Sequence, residues 1–582
     1  MDFGAAYSSA SYVASTCEEV HQILAWPGSN TPVSKIPTCL VYDALGHIRA
    51  WGVEAKDMGL RRGWVRSEWF KLWLDPSSAP RTVLASRSFQ LPKNVVDVVA
   101  DYLSCMWMHT KDQISRENGP CSLSNAEIYL TFPSSWSLRA SLLLREAAIK
   151  AGLVVQDSDS EDTYERLHII PETEASVIHS PLTAFKFRRD QVLTICDAGG
   201  ATVDLATYSV LRASGVPEIA EVIPRSGSYS GSLFLDLRFR ELVRARLATH
   251  PVHLDEASLA HFVRSFSESD KLAYKGPEDD TKLFRFRCLY AEDSHDPAVG
   301  LEHGELVIPG DVLRHRVFDP VIEQVSLLPC PAKFRHTVIL ICSIQVLHTT
   351  ASHVETSNVR LDVLLLVGGF SRNEYLFERI KDRFASNIAV IRPAEGDFAS
   401  YGGGARLRIG SLVSSVVPPH NVFRRVTLPA EQEDMALRPA YITGVPGSLL
   451  CENRVEYIVR RGSRVMKGVR SELRVRKFCS SRADRTFELV LYTSDGDQTR
   501  RYFDEEQGEE LCRCCVDLGT YPGFLERAET SLFGSFYTDF VLGFEMDSAE
   551  IQCVLLYKGA KCGSVTCHPL SHRTDAHPWR GS

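Results

Sequence analysis

The sequence has no surplus of positive charge: 65 lysines and arginines stand against 73 aspartates and glutamates, for a net charge of −8. A nucleic-acid or anionic-membrane partner would need a basic face, so neither is expected. The one long basic run, VRRGSRVMKGVRSELRVRK (459–477), is read as the solvated face of strands. Long apolar runs are missing as well. The longest strongly apolar stretch, HTVILICSIQVL (336–347), is too short to span a bilayer. The first twenty residues lack the basic start and continuous apolar core of a signal peptide, so a cytoplasmic location is expected. There are sixteen cysteines, but the cluster Cys512, Cys514, Cys515 lacks the paired C-x-x-C spacing of a zinc site. The thiols are therefore read as reduced and mostly buried.

Two further absences are local. The stretch DFGAAYSSASY (2–12) has the form of half a phosphate-binding hairpin, yet Ala5 and Ala6 at its centre carry no hydroxyl. Only Met1 precedes Asp2, which leaves no room for a full strand leading into the turn. Such a strand would be central and buried on both faces, so its loss predicts a costly gap. The expectation drawn from this is that the start is placed too late or that the gene is decaying.

What is present is ample material for a folded protein. A chain of 582 residues, 44% hydrophobic and 24% charged, predicts two to four domains. Apolar segments in TCLVYDALGHIRAWG (38–52) are followed by helical spacing over 94–114. AEIYLTFPSSW (126–136) reads as a buried strand, and 137–153 as a helix closed by Gly152. Repeated strand-then-helix order implies a parallel or mixed sheet covered on both faces, with ligands beyond the strand ends. QVLTICDAGGATVDLATYSVL (191–211) delivers Asp197 at the end of an apolar run and turns at GGAT. Such a hairpin can gather backbone N–H groups toward phosphate oxygens while the carboxylate holds a hydrated Mg²⁺. An ordinary glycine hairpin is the plainer reading. RLDVLLLVGGFSRNEYLFERIKDRF (360–384) repeats the theme: an apolar strand ends in Gly368 and Gly369, where a ring or phosphate can approach the backbone.

The order of these pieces matters more than any one of them. DFGAAYS, FPSSWSLRASLLLREAAIKAGL, IIPETEASVIH (169–179), DAGGATVDLATY, LLLVGGFSRNEYL and GDFASYGGGARL (396–407) follow the order of the actin-like ATPase fold. They resemble the 70-kilodalton heat-shock chaperones, and most of all a divergent chaperone-like branch with aromatic-rich motifs such as AWGVEAK. The resemblance spans residues 1–412. It implies a two-lobed, ribonuclease H-like α/β core, with lobe I in 1–185 and lobe II and its return in 186–412. A β-rich domain in 413–582 would follow.

The same resemblance implies ATP or ADP and Mg²⁺ as ligands and assigns residues to them. The first hairpin would comprise Asp2, Gly4, Ala5, Ala6 and Tyr7. The second would comprise Asp197, Gly199, Gly200, Ala201, Thr202 and Asp204. Asp2 and Asp197 would orient waters around the metal. Glu172 would position the attacking water, and Lys56 of WGVEAK would approach the γ-phosphate. Gly231 falls where a glycine pair lies near the phosphates, although its partner here is Ser232. Glu268 and Lys271 match ribose and adenine contacts, with Leu272 departing from a basic residue there. Gly368, Gly369, Ser371 and Arg372 would complete the adenosine pocket, and Asp397 would add a ribose-side contact. The two missing hydroxyls predict slowed or absent hydrolysis with binding retained.

Between HRVFDPVIEQ (315–324) and IQVLHTTASHVETSNVRLDVLLLVGG (344–369) lies VSLLPCPAKFRHTVILICS (325–343). Its prolines break the helix on either side, and it reads as a retained intron or as a surface insertion. After SSVVPPHNVF (414–423) the pattern becomes strand-like and predicts a β-sandwich, with a disordered tail at HPLSHRTDAHPWRGS. By resemblance such a domain grips client polypeptides in the chaperones, which also work with co-chaperones. The leading expectation is a chaperone-like protein that binds ATP and hydrolyses it slowly, coupled to lobe closure. The rival is a non-catalytic nucleotide sensor or scaffold, and a small-metabolite kinase on the same fold comes third.

Overall fold

The computed structural model describes residues 1–14, 19–76, 91–119, 123–154, 166–183, 188–213, 217–290, 295–322, 360–384, 388–393, 413–437, 442–443, 449–496, 498–506, 508–532 and 534–569. The 325–343 segment, the 396–407 motif with Asp397, and the final residues expected to be disordered lie outside them. The chain divides into two units: residues 1–136 with 146–413, and residues 137–145 with 414–582.

The first unit is built around the strand Val192–Ala198, which is buried almost throughout, as an apolar central strand must be. On one side it pairs antiparallel with Val203–Arg212, and on the other it pairs in parallel with Val363–Val367. Glu218–Glu221 and Ala389–Ile391 extend the sheet beyond these neighbours, so the sheet is mixed. The helix Glu374–Phe384 shows a recurring buried face of Leu376, Ile380 and Phe384. With Phe239, Phe262, Phe266, Leu364 and Leu366 these form one apolar core.

Earlier in the chain, Ile128–Phe132 and Leu167–Pro171 pair in parallel, and Cys39–Tyr42 is flanked antiparallel by Ile48–Trp51 and Val65–Glu68. The short lead into the first hairpin forms only isolated bridges, from Asp2 to Thr131 and to Ser9. Those bridges nevertheless fix the aspartate: its N–H donates to the Ser9 carbonyl at 2.8 Å, and the Ser9 N–H returns a bond of 2.9 Å. Phe3 is fully buried, with its ring about 6 Å from those of Phe70 and Tyr102.

The second unit is all-antiparallel apart from short helices. Its strand Ala560–Pro569 serves two sheets: residues 560–564 pair with Ile551–Tyr557, and residues 565–569 pair with Glu509–Asp517. A strand that changes partners in this way makes the corner of a sandwich. One apolar core, with Val422, Leu491, Leu511, Phe540, Leu542 and Leu555, draws on both sheets. The basic strand Arg470–Cys479 alternates exposed Arg474 and Arg476 with buried Leu473 and Val475, which accounts for the basic run. Residues 137–145 group with this unit through Leu138 and Leu142. Arg145 holds Glu550 through two bonds of 2.5 Å.

Candidate functional site

Two glycine-bearing turns face each other in the first unit. A Cβ placed on Gly200 would lie 3.0 Å from the Cβ of Ala6, so the tips of the hairpins are in contact range. In the second turn the carbonyls are tied back by the start of the helix Leu233–Arg246. Gly231, Ser232 and Leu233 donate their N–H groups to the carbonyls of Ala201, Gly199 and Gly200 at 3.0, 3.1 and 2.7 Å. In the first turn one residue does similar work. The Thr38 hydroxyl donates to the Gly4 carbonyl at 2.8 Å, and the Thr38 N–H donates to the Ala6 carbonyl at 2.9 Å.

The turns border a cleft of about 1100 Å³. Asp197 ends its strand in register with Asp204 on the returning strand, and Asp2 sits on the opposite hairpin. Glu172 begins the helix Glu172–Thr183 directly after the strand Leu167–Pro171. Lys71 is carried by the short 3₁₀ helix Phe70–Leu74, which is entered through the left-handed residue Trp69 (φ 56°). The lysine is 2% exposed and its Nζ donates to Glu172 Oε1 at 2.8 Å. It also lies 5.5 Å from the Phe3 ring centre and 5.3 Å from that of Trp136. These aromatic faces offset part of the cost of burying an ammonium group.

Negative charge outweighs positive charge here. Burial raises Glu172 from the usual 4.5 to about 7; Lys71 opposes the shift, and repulsion from Asp2 and Asp204 adds to it. Burial and then repulsion from Glu172, Asp204 and Asp2 push Asp197 well above the ordinary aspartate range. Burial raises Asp204 too, against hydrogen bonds from Thr202 and Ser135. A buried set of carboxylates that repel one another and hold one lysine suits a hard divalent cation with oxygen ligands such as Mg²⁺. The donor chemistry therefore fits the metal implied by the sequence.

No protein-family model matches the chain. Human heat shock 70 kDa protein 12B is 25% identical over 310 residues, an alignment covering 42% of this chain and 44% of that protein. The chain thus spans less than half the length of the curated relative it matches. The match supports a relationship to the 70-kilodalton heat-shock proteins. The mixed α/β architecture, with its large mixed sheet, fits an actin-fold relative of that kind.

Most of the residues singled out in the sequence converge on the cleft. Asp2, Gly4, Ala5, Ala6, Tyr7, Lys56, Glu172, Asp197, Gly199, Gly200, Ala201, Thr202, Glu268, Lys271, Gly368, Gly369 and Arg372 all line it. Three others stand behind its wall. Asp204 accepts from the Ser135 N–H at 2.8 Å. Gly231 packs so tightly under the second turn that a Cβ would lie 2.5 Å from the Gly200 carbonyl. The Ser371 hydroxyl donates to the Gly368 carbonyl at 2.6 Å, bracing the turn from within. Gly368 itself needs to be glycine: its φ is +85°, and a Cβ would meet Asp197 Oδ1 at 2.3 Å.

Lys56 borders the cleft, but its ammonium is 2.5 Å from Glu68; the cation that reaches Glu172 is Lys71. Sequence reasoning passed over this lysine. The signal available was a single charge inside the aromatic run WFKLWL, which alone does not separate a buried lysine from one whose stem lies along apolar surface. At the other end of the cleft, Lys271 donates to Asp236 at 2.8 Å. Glu268 lies in the π-helical turn Phe266–Asp270, a local widening common near ligand sites and invisible to a 3.6-residue periodicity. Asp236 was likewise not anticipated.

Among the described residues no helix is long and apolar enough to cross a membrane.

Proposed function

We propose that this chain is an ATP-binding, chaperone-like protein on a two-lobed actin-like core, with slow or impaired hydrolysis linked to lobe closure. The observation that carries this reading is the pair of turns, Gly4–Ala6 and Gly199–Ala201, opposed across a cleft that also holds Asp2, Asp197, Glu172 and Lys71. When bound, Mg²⁺–ATP supplies a phosphoryl group whose charge is partly neutralised by the metal. Asp2 and Asp197 would hold water around the cation. Glu172, with a pKa near neutrality, orients a water and accepts its proton. Lys71 keeps Glu172 in place and contributes positive charge beside it. Gly368, Gly369, Arg372, Glu268 and Lys271 bound the adenosine end, and Lys56 lines the same cleft.

The rival reading, a nucleotide sensor without turnover, is favoured by one observation. Ala5 is packed with Ala201, Leu72, Tyr229 and Leu233 in a small apolar cluster, where a hydroxyl donor would otherwise stand. Single-turnover hydrolysis on the full chain separates the two. Slow turnover that is lost in Glu172→Ala and Lys71→Ala supports the ATPase, while tight binding with no turnover supports the sensor. A cytoplasmic location, client polypeptides held by the β-sandwich, and co-chaperones complete the proposal, the last two by the resemblance to the 70-kilodalton heat-shock chaperones.

A further inference from the structure

The β-sandwich contains a second cluster of reactive side chains, unconnected with nucleotide. Along the strand Glu509–Asp517 successive side chains alternate between faces, so Cys512 and Cys514 are fully buried while Cys515 is exposed. Antiparallel pairing sets Cys567 directly opposite Cys514, with the two sulfurs 2.9 Å apart. The sulfurs of Cys512, Cys514 and Cys567 all lie within 4.8 Å of one another. A further thiol, the buried Cys553 on the strand Ile551–Tyr557, stands outside this group.

Three thiols this close, two of them fully buried, are hard to explain as packing alone, because aliphatic side chains fill such space without sulfur–sulfur crowding. With metal–sulfur bonds of about 2.3 Å, thiolates around a tetrahedral zinc ion stand roughly 3.8 Å apart, which the spacing allows with small rotamer changes. The contributing strands, Glu509–Asp517 and the 565–569 part of Ala560–Pro569, are neighbours in one sheet. The ligands meet across strands, which is why no paired C-x-x-C spacing marks them in the sequence. We propose that Cys512, Cys514 and Cys567 bind a thiophilic d¹⁰ cation, Zn²⁺ or Cu⁺, that staples these two strands together. Each coordinating thiol releases its proton to solvent as its sulfur–metal bond forms, and no electron is transferred.

The test is metal analysis of the full-length protein purified under reducing conditions, followed by separate titrations with Zn²⁺ and Cu⁺. About one equivalent of one of these ions per chain is expected, together with proton release on binding and a higher melting temperature than after chelation. In the zinc case, Co²⁺ substitution should give thiolate-to-cobalt charge-transfer absorption. Cys514→Ala and the milder Cys567→Ser should each lose the metal, whereas Cys515→Ser, on the opposite face, should keep it. Should Cys514→Ala fail to fold, the Cys567→Ser variant and the wild-type metal content still decide the matter. Reduced protein that takes up neither ion, or a Cys514–Cys567 disulfide persisting in reductant, would overturn the proposal.

Discussion

The turn at Gly199–Ala201 hangs from strands of seven and ten residues. The turn at Gly4–Ala6 hangs from two isolated bridges at Asp2 and a two-residue pairing of Tyr7–Ser8 with Ile36–Pro37. One is pinned by three successive N–H groups at the entry to a helix and the other by Thr38. The comparison separates two requirements that a long strand normally meets together. Placing an aspartate at the end of a sheet takes only the bonds immediately beside it, whereas shaping the turn takes donors that hold its carbonyls from behind. Thr38 supplies those donors on the short hairpin through its hydroxyl and its N–H, so the turn geometry survives without an extended strand and without hydroxyls at Ala5 and Ala6.

The strongest way to break the comparison is to remove the charge between the turns. Lys71→Ala leaves Glu172 buried without its cation and should cost about 3–5 kcal/mol of folding stability, measured by urea denaturation. Adding Glu172→Gln should recover part of that loss. A smaller effect is expected where only the backbone is crowded. Gly368→Ala, at φ +85° and 2.3 Å from Asp197, should cost about 1–3 kcal/mol. Gly4→Ala, whose Cβ would meet the Tyr7 carbonyl at 2.0 Å, should cost more than Gly200→Ala, whose nearest neighbour is 3.0 Å away. Equal losses would show that the short hairpin shifts freely and that Thr38 does not hold it.

Titration gives a third comparison. Glu172 is raised from 4.5 to about 7, so the folded state binds its proton more tightly than the unfolded chain does. Stability of the ligand-free protein should therefore fall as pH rises from about 4.5 to about 7, and the raised pKa of Asp197 acts in the same direction. Melting temperatures across this range should show the decline, and Mg²⁺ should flatten it by favouring the charged carboxylates. The smallest effect concerns the missing hydroxyls. Ala6→Thr restores one donor at a half-buried position, and one neutral hydrogen bond corresponds to about 0.5–1.5 kcal/mol, so single-turnover hydrolysis should quicken by roughly tenfold at most. Ala5→Thr should do less, because its site is already filled by Ala201, Leu72 and Tyr229.

The features legible in the sequence were those encoded locally. Apolar runs ending in Asp197 and Gly368 announced central strands and their turns, and the basic run 459–477 was legible as the wet face of strands. What could not be read was tertiary. Lys71 and Lys56 are both lysines near aromatic residues, and only packing shows that one is enclosed by Phe3 and Trp136 while the other pairs with Glu68. The assignments of Gly231 and Ser371 as site glycine and site hydroxyl could not distinguish touching the cleft from bracing it. Residues 137–145 read as part of the first lobe, yet Leu138, Leu142 and Arg145 find their partners in the β-rich unit, a choice set by contacts some four hundred residues away in sequence.

The central claim is that two opposed turns and their carboxylates form an Mg²⁺-dependent nucleotide site. Calorimetric titration of ATP into the full chain, with and without Mg²⁺ and with the Asp197→Ala variant alongside, tests it most directly. The account predicts single-site binding that needs Mg²⁺ and weakens by about tenfold or more in Asp197→Ala. Absence of binding, or binding indifferent to both Mg²⁺ and Asp197, would contradict it.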